Sequence, residues 1–397
     1  MRNYQIGKIL VAITAVLGIY FLSRTVGQVQ PSTLAGIFIF FTALVISFVR
    51  GTDALYIIIF AMLFSPEIGT SMETGRTTGE GAGALSLRLE DILLIAVGCG
   101  WLLRTAYQKR HYGIMRTPVN PAIGCYIAAS VIATMLGVIG GTVRLEAGII
   151  HNLKFFEYFF LFFMILAHVR EKKIVTNMFI AMLLVFFLAL IYGYLQIELT
   201  GTQRVSAPFD PNEPNTFGGY IVLLMCVAFG IVLEDKRIRV CVPLIGLLLF
   251  AMPPLLFTLS RAAYMAFIAG WLAFLMVSKQ RIIVGAIAIG LVAVLIIGVP
   301  MLPARVQHRI TGTFRAEPEY HVKIAGIDLD ASASARIASY QQAIRVWQKS
   351  PLFGHGVTGT HFIDGQYFRL LAETGIVGLA AFLFILWRVL REVWKIY

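Results

Sequence analysis

The sequence predicts an all-α membrane protein: a polytopic bundle of about twelve transmembrane helices with a long periplasmic loop that contains an amphipathic helix. Of the 397 residues, 58% are hydrophobic and 14% are charged, and the mean hydropathy is +0.80. Soluble domains carry about 25% charged residues, so the low charged fraction of this chain indicates that lipid surrounds much of it. Apolar runs of about 17–25 residues recur along the chain, and each is long enough to cross a hydrocarbon core as a helix. A helix satisfies its own backbone hydrogen bonds in lipid, and the sequence lacks the short alternating segments of a barrel.

The apolar runs define the predicted helices in order. They are placed at 7–23, 32–49, 54–66, 90–104, 120–140, 152–168, 174–198, 215–233, 239–257, 262–278, 281–301 and 366–388. The first run has no small-residue cleavage site, so we interpret it as a retained helix and not as a signal peptide. The cysteines lie inside apolar runs without CxxC spacing, which favours small buried side chains over metal ligands or disulfides.

The net charge of +12 is interpreted first as an orientation signal, because no aromatic-basic nucleic-acid motif accompanies it. With the N-terminus in the cytoplasm, every short basic cluster falls on the cytoplasmic side. These clusters contain Arg50; Arg104, Lys109, Arg110 and Arg116; Arg170, Lys172 and Lys173; Lys236, Arg237 and Arg239; Lys279 and Arg281; and Arg388, Arg391 and Lys395. The agreement predicts an even number of helices, with both termini in the cytoplasm.

The opposite, periplasmic side receives four longer segments, at 67–89, 141–151, 201–215 and 302–364. The predicted organisation is transmembrane helices over 1–301, a periplasmic loop over 302–365, and a last helix with a cytoplasmic tail over 366–397. An amphipathic helix is predicted over 335–349, with Ser332 or Ser334 as its N-cap. Its apolar face, which could lie at the membrane surface, contains Ile337, Tyr340, Ile344 and Trp347.

Arg261 is the first candidate for chemistry. It follows Pro253 and Pro254, which lack backbone donors, so the sequence predicts a helix interrupted near its outer end. Such a break is tolerated at membrane depth only where the freed groups face protein or a wet cavity. An arginine just beyond it is costly without an anionic partner. Arg261 therefore either binds an anion or extends its charge to the membrane surface as a snorkelling side chain.

Arg204 lies in the outer segment 201–215, which is rich in turn-forming residues. It is either a plain loop cation or part of an anion site, and its placement on the same side as Arg261 favours the anion site. Asn215, at the end of this segment, is either the N-cap of the following helix or a supporting residue of that site.

The segment 354–375 leads from a glycine-rich turn into the last helix. Gln366, Arg369 and Glu373 fall on one helical face, and Arg369 and Glu373 form an i,i+4 pair that either serves the reaction or only orients the helix. Asp364 is either an N-cap or a general base. His361 is a second candidate base and His355 is a weaker one. A carboxylate beside arginines is a weak base unless it is partly desolvated or acts on a well-placed hydroxyl.

Three motifs in this order carry a resemblance to a known family. They are Arg204 with Asn212-Glu-Pro-Asn215, the segment Leu259-Ser-Arg-Ala-Ala263, and the closing segment from Gly354 through Tyr367-Phe-Arg-Leu-Leu-Ala-Glu-Thr-Gly375 to Gly378. Together with the helix pattern they resemble the O-antigen ligase/polymerase superfamily of GT-C-type membrane glycosyltransferases. The resemblance covers about 85–390 in architecture and about 200–378 in motifs.

The resemblance implies a multi-pass protein of the bacterial inner membrane that transfers a glycan from a polyprenyl-pyrophosphate carrier to an acceptor hydroxyl, without a metal or another cofactor. It implies that Arg204, Arg261 and Arg336 bind the pyrophosphate, and that a chain-length regulator or other envelope-assembly proteins are partners. In the ligases a histidine stands nine residues before the glutamate of the closing motif, whereas here that position is Asp364. This departure favours a polymerase of lipid-linked repeat units over a ligase that acts on a lipid core or a protein.

Arginines also suit this chemistry on physical grounds, since they neutralise a pyrophosphate leaving group bidentately in a low-dielectric site.

Two other classes of function remain open. A secondary transporter of an anionic solute usually shows repeated halves with paired broken helices, and the sequence shows one Pro-Pro break and no matching half. The other alternative is a structural or assembly subunit, which would have no turnover.

Overall fold

The computed structural model describes residues 31–61, 89–108, 116–169, 171–197, 204–208, 213–298, 323–324, 327–328 and 331–396. The predicted first helix and nearly all of the predicted outer segment 67–89 lie outside these residues. So do the part 302–322 of the long loop and the residues Lys109, Arg110, Arg170 and Asn212.

The described chain is almost entirely helical. In chain order the helices are α1 (Pro31–Val49), α2 (Gly51–Ala61), α3 (Leu89–Tyr107), α4 (Asn120–Ile139), α5 (Leu145–His168), α6 (Lys172–Leu195), α7 (Pro214–Glu234), α8 (Ile238–Phe257), α9 (Arg261–Val277), α10 (Arg281–Gly298), α11 (Ala331–Trp347) and α12 (Gln366–Ile396). A small antiparallel pair, β1 (Lys323–Ile324) and β2 (Ile327–Asp328), precedes α11. The helical class predicted from sequence is confirmed apart from this pair.

Six of the described helices, α4 to α8 and α12, are long and apolar enough to cross a membrane. Large apolar side chains on these and neighbouring helices are exposed, as the 83% exposure of Ile139 and the 89% exposure of Ile282 illustrate. Such exposure is unfavourable in water and neutral in lipid. The protein is therefore a multi-pass membrane protein, while the count of about twelve spans and the orientation of the termini stay predictions.

The chain forms two compact units. The first contains α1, α3, α4, α5, the strand pair, α11 and α12. Its helices are joined by buried polar contacts: the Ser47 hydroxyl donates to the Val97 carbonyl at 2.6 Å, and the Asn152 amide donates to the Thr134 hydroxyl at 2.9 Å. Tyr126 of α4 packs with Leu370 of α12 in an apolar cluster.

The second unit contains α6 to α10. Its core is a cluster from α6, α7, α8 and α9 that includes the fully buried Phe186 and Phe217. Gly218 of α7 lets α9 approach closely, because a Cβ at that position would lie 2.6 Å from the Ala263 Cβ. This close packing fixes the start of α9, where Arg261 lies.

Two predictions about helix interruptions were wrong. Helix α8 runs through Pro253 and Pro254 to Phe257, and the Pro254 carbonyl still accepts a hydrogen bond from the Thr258 backbone at 3.0 Å. Each proline lacks the N–H that would bond to the carbonyl four residues earlier, and the Phe250 carbonyl freed by Pro254 accepts the Tyr194 hydroxyl at 3.0 Å instead. The last helix, predicted as continuous, is instead kinked at Gly375, which has φ 65° and ψ −167°.

The amphipathic helix also begins earlier than predicted. Helix α11 starts at Ala331, so Ser332 and Ser334 lie within its first turn and neither precedes it as an N-cap. Part of its apolar face packs on α12, where the Tyr340 ring stacks on Phe368 at 4.2 Å between centroids. The helix is thus anchored to the first unit through this face.

Candidate functional site

Arg204 of the second unit is held by backbone carbonyls at the turn between α8 and α9. Its Nε donates to the Thr258 carbonyl at 3.1 Å, and its Nη2 approaches the Leu259 carbonyl at 3.5 Å. The next residue, Val205, donates its backbone N–H to the Phe257 carbonyl at 3.0 Å. The segment that carries Arg204 is therefore fixed against the turn that leads to Arg261.

Asn215 completes the setting of Arg204. Its Oδ1 accepts a hydrogen bond from Arg204 Nη2 at 3.3 Å. Helix α7 begins at Pro214 after Glu213, with no side-chain cap, so the prediction of Asn215 as the N-cap was wrong. Pro214 instead starts the helix, which is a favourable place for proline, and Asn215 in the first turn is left to hold the guanidinium.

Arg204 is half-buried, and this has an electrostatic consequence. Burial lowers the pKa of Arg204, while the Glu213 carboxylate raises it. A guanidinium stays protonated despite such changes. The positive charge is thus partly removed from water, which strengthens its attraction for an anion.

Arg261 is the first residue of α9. Ser260 caps the helix, since its hydroxyl accepts a hydrogen bond from the Ala263 backbone at 3.3 Å. Backbone N–H groups at a helix N-terminus attract anions, so a cation in the first turn is electrostatically unfavourable by itself. An anion bound there would be stabilised by the helix and by Arg261 together.

In the first unit, Arg336 and Asp364 contact each other. Arg336 Nε donates to Asp364 Oδ2 at 3.1 Å, and the Asp364 backbone N–H donates to the Ser339 hydroxyl at 2.9 Å. Both side chains are partly exposed, at 39% and 47%. Arg336 lies within α11. Asp364 lies two residues before the start of α12. The first backbone hydrogen bond of this helix runs from the Arg369 N–H to the Gly365 carbonyl, so Gly365 and not Asp364 occupies the N-cap position. The N-cap alternative for Asp364 was therefore wrong.

The glycine-rich segment before Asp364 packs tightly on its neighbours. The backbone N–H of Gly356 donates to the Glu373 carbonyl at 2.8 Å. The His355 carbonyl accepts from the Thr142 hydroxyl at 2.7 Å. Gly356 has φ 87°, and a Cβ there would lie 2.7 Å from Val143 Cγ2. Glycine is required at this position for both reasons, and the segment that leads to His361 and Asp364 is fixed between α4 and α12.

Glu373 is the buried centre of this packing, with 1% of its surface exposed. Its Oε1 accepts hydrogen bonds from Arg369 Nε at 3.2 Å and from the Thr358 backbone N–H at 3.3 Å. The Arg369 guanidinium also lies 5.9 Å from the centre of the Phe155 ring. The predicted i,i+4 pair is thus formed, and it holds the glycine-rich segment at Thr358.

The remaining predicted residues differ in their surroundings. His361 and Gln366 are exposed. His355 is half-buried, and among the described residues its buried Nδ1 has no hydrogen-bond partner. An exposed imidazole beside Asp364 in the chain is accessible to a substrate, while His355 faces the packed interior. Exposure therefore favours His361 over His355 as the second candidate base.

Several contacts around the site were not found from the sequence. Ser339 lies three residues after Arg336, so helical spacing could have identified it. Thr142 contacts the His355 carbonyl across 213 residues of chain, and no local pattern signals such a contact. The same applies to the carbonyls of Thr258 and Leu259, since backbone acceptors carry no sequence signature.

Comparison with protein families gives a match over part of the chain. Residues 247–383 match the family model described as O-antigen ligase. This range includes Arg261, Arg336, Asp364 and Glu373, while Arg204 precedes it. Neither the curated proteins nor the solved structures compared with the chain gave a match. The family match confirms that the chain resembles the O-antigen ligase/polymerase superfamily, through a segment that runs from α8 into α12.

Proposed function

We propose that the protein is a membrane glycosyltransferase that moves a glycan from a polyprenyl-pyrophosphate carrier to an acceptor hydroxyl on the periplasmic side. The preferred reaction is the polymerisation of lipid-linked repeat units. The observation that carries the proposal is the position of Arg261 at the start of α9, inside the matched segment, next to the turn to which Arg204 is bonded.

In the proposed reaction, negative charge develops mainly on the leaving group. The acceptor oxygen attacks the anomeric carbon of the donor, and the bond from this carbon to the pyrophosphate oxygen breaks. The electron pair leaves with the polyprenyl pyrophosphate, and the acceptor proton passes to a base. Negative charge grows on the pyrophosphate as the bond breaks, and fixed guanidinium groups stabilise this charge more than they stabilise the ground state.

Arg204 and Arg261 are proposed to bind the pyrophosphate. Arg204 is oriented in advance by Asn215 and the Thr258 carbonyl, so little side-chain entropy is lost when the substrate binds. Arg261 adds its charge at the N-terminus of α9, where the backbone also favours an anion. The lipid tail of the donor gives a physical reason for an enzyme that is embedded in the membrane.

Asp364 is the proposed base, with His361 as the alternative. The Ser339 hydroxyl accepts a hydrogen bond from the Asp364 backbone, and Arg336 donates one to the Asp364 carboxylate. These two contacts define the position of Asp364. In this proposal the Asp364 carboxylate takes the proton from an acceptor hydroxyl that the site positions well. Arg336 is proposed to contribute to pyrophosphate binding from the same pair, and Glu373 to belong to the catalytic group with Asp364 and His361. Arg369, Gln366 and Asn212 are proposed to have supporting roles.

The direct test uses purified protein in detergent with a polyprenyl-pyrophosphate oligosaccharide. Longer lipid-linked glycans and released polyprenyl pyrophosphate are expected. Arg261→Gln should lower turnover by about 10²–10³-fold, the usual effect of removing one group that stabilises developing negative charge. Arg204→Lys should also lower it, because lysine cannot reproduce the fixed fork of donors. Arg239→Gln, which changes an exposed arginine in the first turn of α8, is the matched control and should keep wild-type turnover.

Near-normal turnover in both site variants would remove the pyrophosphate assignment. Absence of any turnover together with solute uptake in vesicles would instead favour a secondary transporter. No activity of either kind would favour an assembly subunit.

The ligase reaction is the second candidate, and the family description of the matched segment favours it. Asp364, in the place where the ligases are expected to have histidine, favours the polymerase. Offering a lipid core, a protein acceptor and a second repeat unit side by side distinguishes them. A product that grows on the carrier lipid identifies a polymerase, while transfer of the glycan to the core or protein identifies a ligase.

A further inference from the structure

A polar cavity lies in the first unit, at the ends of α1, α3 and α5. Its volume is about 490 Å³, and it is lined by residues that include Arg50, Asp53, Trp101, Arg104 and His168. None of these belongs to the site proposed above. By the orientation predicted from sequence, this cavity faces the cytoplasm, and the proposed reaction takes place on the periplasmic side.

The charge around this cavity is predominantly basic. Arg50, Arg104 and His168 come from three different parts of the chain and line the same space. Among the described residues that line it, Asp53 supplies the only carboxylate, and it contacts Arg50 at 3.4 Å with both side chains well exposed. Exposed pairs of this kind are weak. The cavity therefore has a surplus of positive charge that an anion would balance.

The packing around Gly51 brings the side chains of Arg104 and His168 together. A Cβ at Gly51 would lie 2.2 Å from His168 Nε2 and 3.2 Å from Arg104 Nη1. His168 Nδ1 lies 2.8 Å from the Met164 carbonyl, which fixes the ring with its Nε2 edge towards Gly51. Any larger residue at Gly51 would push the imidazole and the guanidinium apart, so the glycine allows both groups to approach one point.

Membrane orientation and helix dipoles account for a basic residue at each helix end, because basic residues favour both the cytoplasmic side and a helix C-terminus. They do not require that three basic side chains surround one cavity, or that a glycine keep two of them close. These two features together indicate a built anion site.

The surroundings indicate which anion it takes. On α3, next to the lining residues Trp101 and Arg104, Leu102 and Leu103 are 52% and 53% exposed. Trp101 is of the type that favours the membrane interface. A phosphate group in the cavity would thus have hydrocarbon surface beside it. We propose that this cavity binds the phosphodiester headgroup of an anionic membrane phospholipid, with Arg104, Arg50 and His168 around the phosphate and the acyl chains along α3.

The test measures lipid binding to the purified, delipidated full-length protein by native mass spectrometry. Phosphatidylglycerol should bind more tightly than phosphatidylcholine, which carries no net charge. Arg104→Gln should weaken phosphatidylglycerol binding about fivefold or more, the expected loss for one arginine near a lipid phosphate. Gly51→Val should weaken it as well. Arg239→Gln, an exposed arginine on the same predicted side, should leave it unchanged.

Thermal unfolding checks that each variant is folded, and Arg104→Gln carries the test if Gly51→Val does not fold. Equal binding of the two lipids, or unchanged binding in Arg104→Gln, would overturn the proposal. Glycerol phosphate is the probe for a soluble ligand. If it binds as tightly as phosphatidylglycerol, the anion is a soluble phosphate ester and the lipid assignment is wrong.

Discussion

The arginines of this protein are distinguished by what surrounds their guanidinium groups. Arg204 is half-buried against two carbonyls and an asparagine, and Arg369 is paired with a buried glutamate. Arg239, by contrast, is exposed in the first turn of α8. A partly desolvated and pre-oriented guanidinium attracts an anion strongly, while a solvated one mainly reports orientation.

Asp364 provides the first prediction at this scale. Asp364→Asn keeps an oxygen that can accept the Arg336 bond but removes the proton acceptor, so turnover should fall about 10²–10⁴-fold, the range for loss of general base catalysis. The measurement is the rate of carrier release with saturating donor. His361→Gln is the comparison variant, and it should retain most activity. The opposite ranking of the two variants would assign the base to His361.

Asn215 provides the second prediction. Asn215→Ala removes one neutral partner of Arg204 while the Thr258 carbonyl remains, so the guanidinium should be less well positioned. A typical hydrogen bond contributes about 0.5–1.5 kcal/mol, which corresponds to a loss of about two- to tenfold in kcat/KM. Steady-state kinetics measure this loss. An effect as large as that of Arg261→Gln would mean that Asn215 contacts substrate itself.

At the scale of elements, the kink in α12 determines how the glycine-rich segment is held. Beyond the kink at Gly375, the backbone N–H groups of Ile376 and Val377 donate to the carbonyls of Pro351 and Leu352 at 3.0 and 3.2 Å. On the other side of the kink, Glu373 bonds to Thr358 and Arg369. One helix thus holds both ends of the segment that leads to the candidate base.

Gly375→Ala tests this arrangement. Gly375 has φ 65°, and a Cβ there would lie 2.2 Å from the Leu352 carbonyl oxygen. Strained backbone of this kind costs about 1–3 kcal/mol, and the clash adds to it. The variant should therefore unfold at a lower temperature in detergent. Gly124→Ala, where a Cβ meets nothing within 4 Å, should be neutral or slightly stabilising. Equal midpoints for the two variants would mean that the kink is not constrained.

At the scale of the whole molecule, the charge pattern makes a prediction about orientation. In a variant without its native cysteines, His361→Cys should react with a membrane-impermeant maleimide in intact cells, because His361 is exposed and predicted to be periplasmic. Lys236→Cys, also exposed, should react only after lysis. Both variants should react fully in lysed cells, which is the control for access. Reaction of Lys236→Cys in intact cells would reverse the orientation.

The sequence by itself determined the membrane class, most helix bounds and the order of the candidate segments. These properties depend on local composition and on periodicity, which are readable over about twenty residues. Arg204, Arg261 and the Arg369–Glu373 pair were also found in this way. The family resemblance, now supported over residues 247–383, named Arg336 in addition.

The tertiary structure alone decided how these residues are held. The turn that fixes Arg204, the bond between Arg336 and Asp364, and the contact from Thr142 to the glycine-rich segment each join positions far apart in the chain. It also decided that Asn215 and Asp364 bind arginines and do not cap helices. Capping is a local preference of about 1 kcal/mol, and a nearby guanidinium that needs an acceptor outweighs it. Sequence patterns report local preferences, while the choice between competing partners depends on which groups the fold brings together.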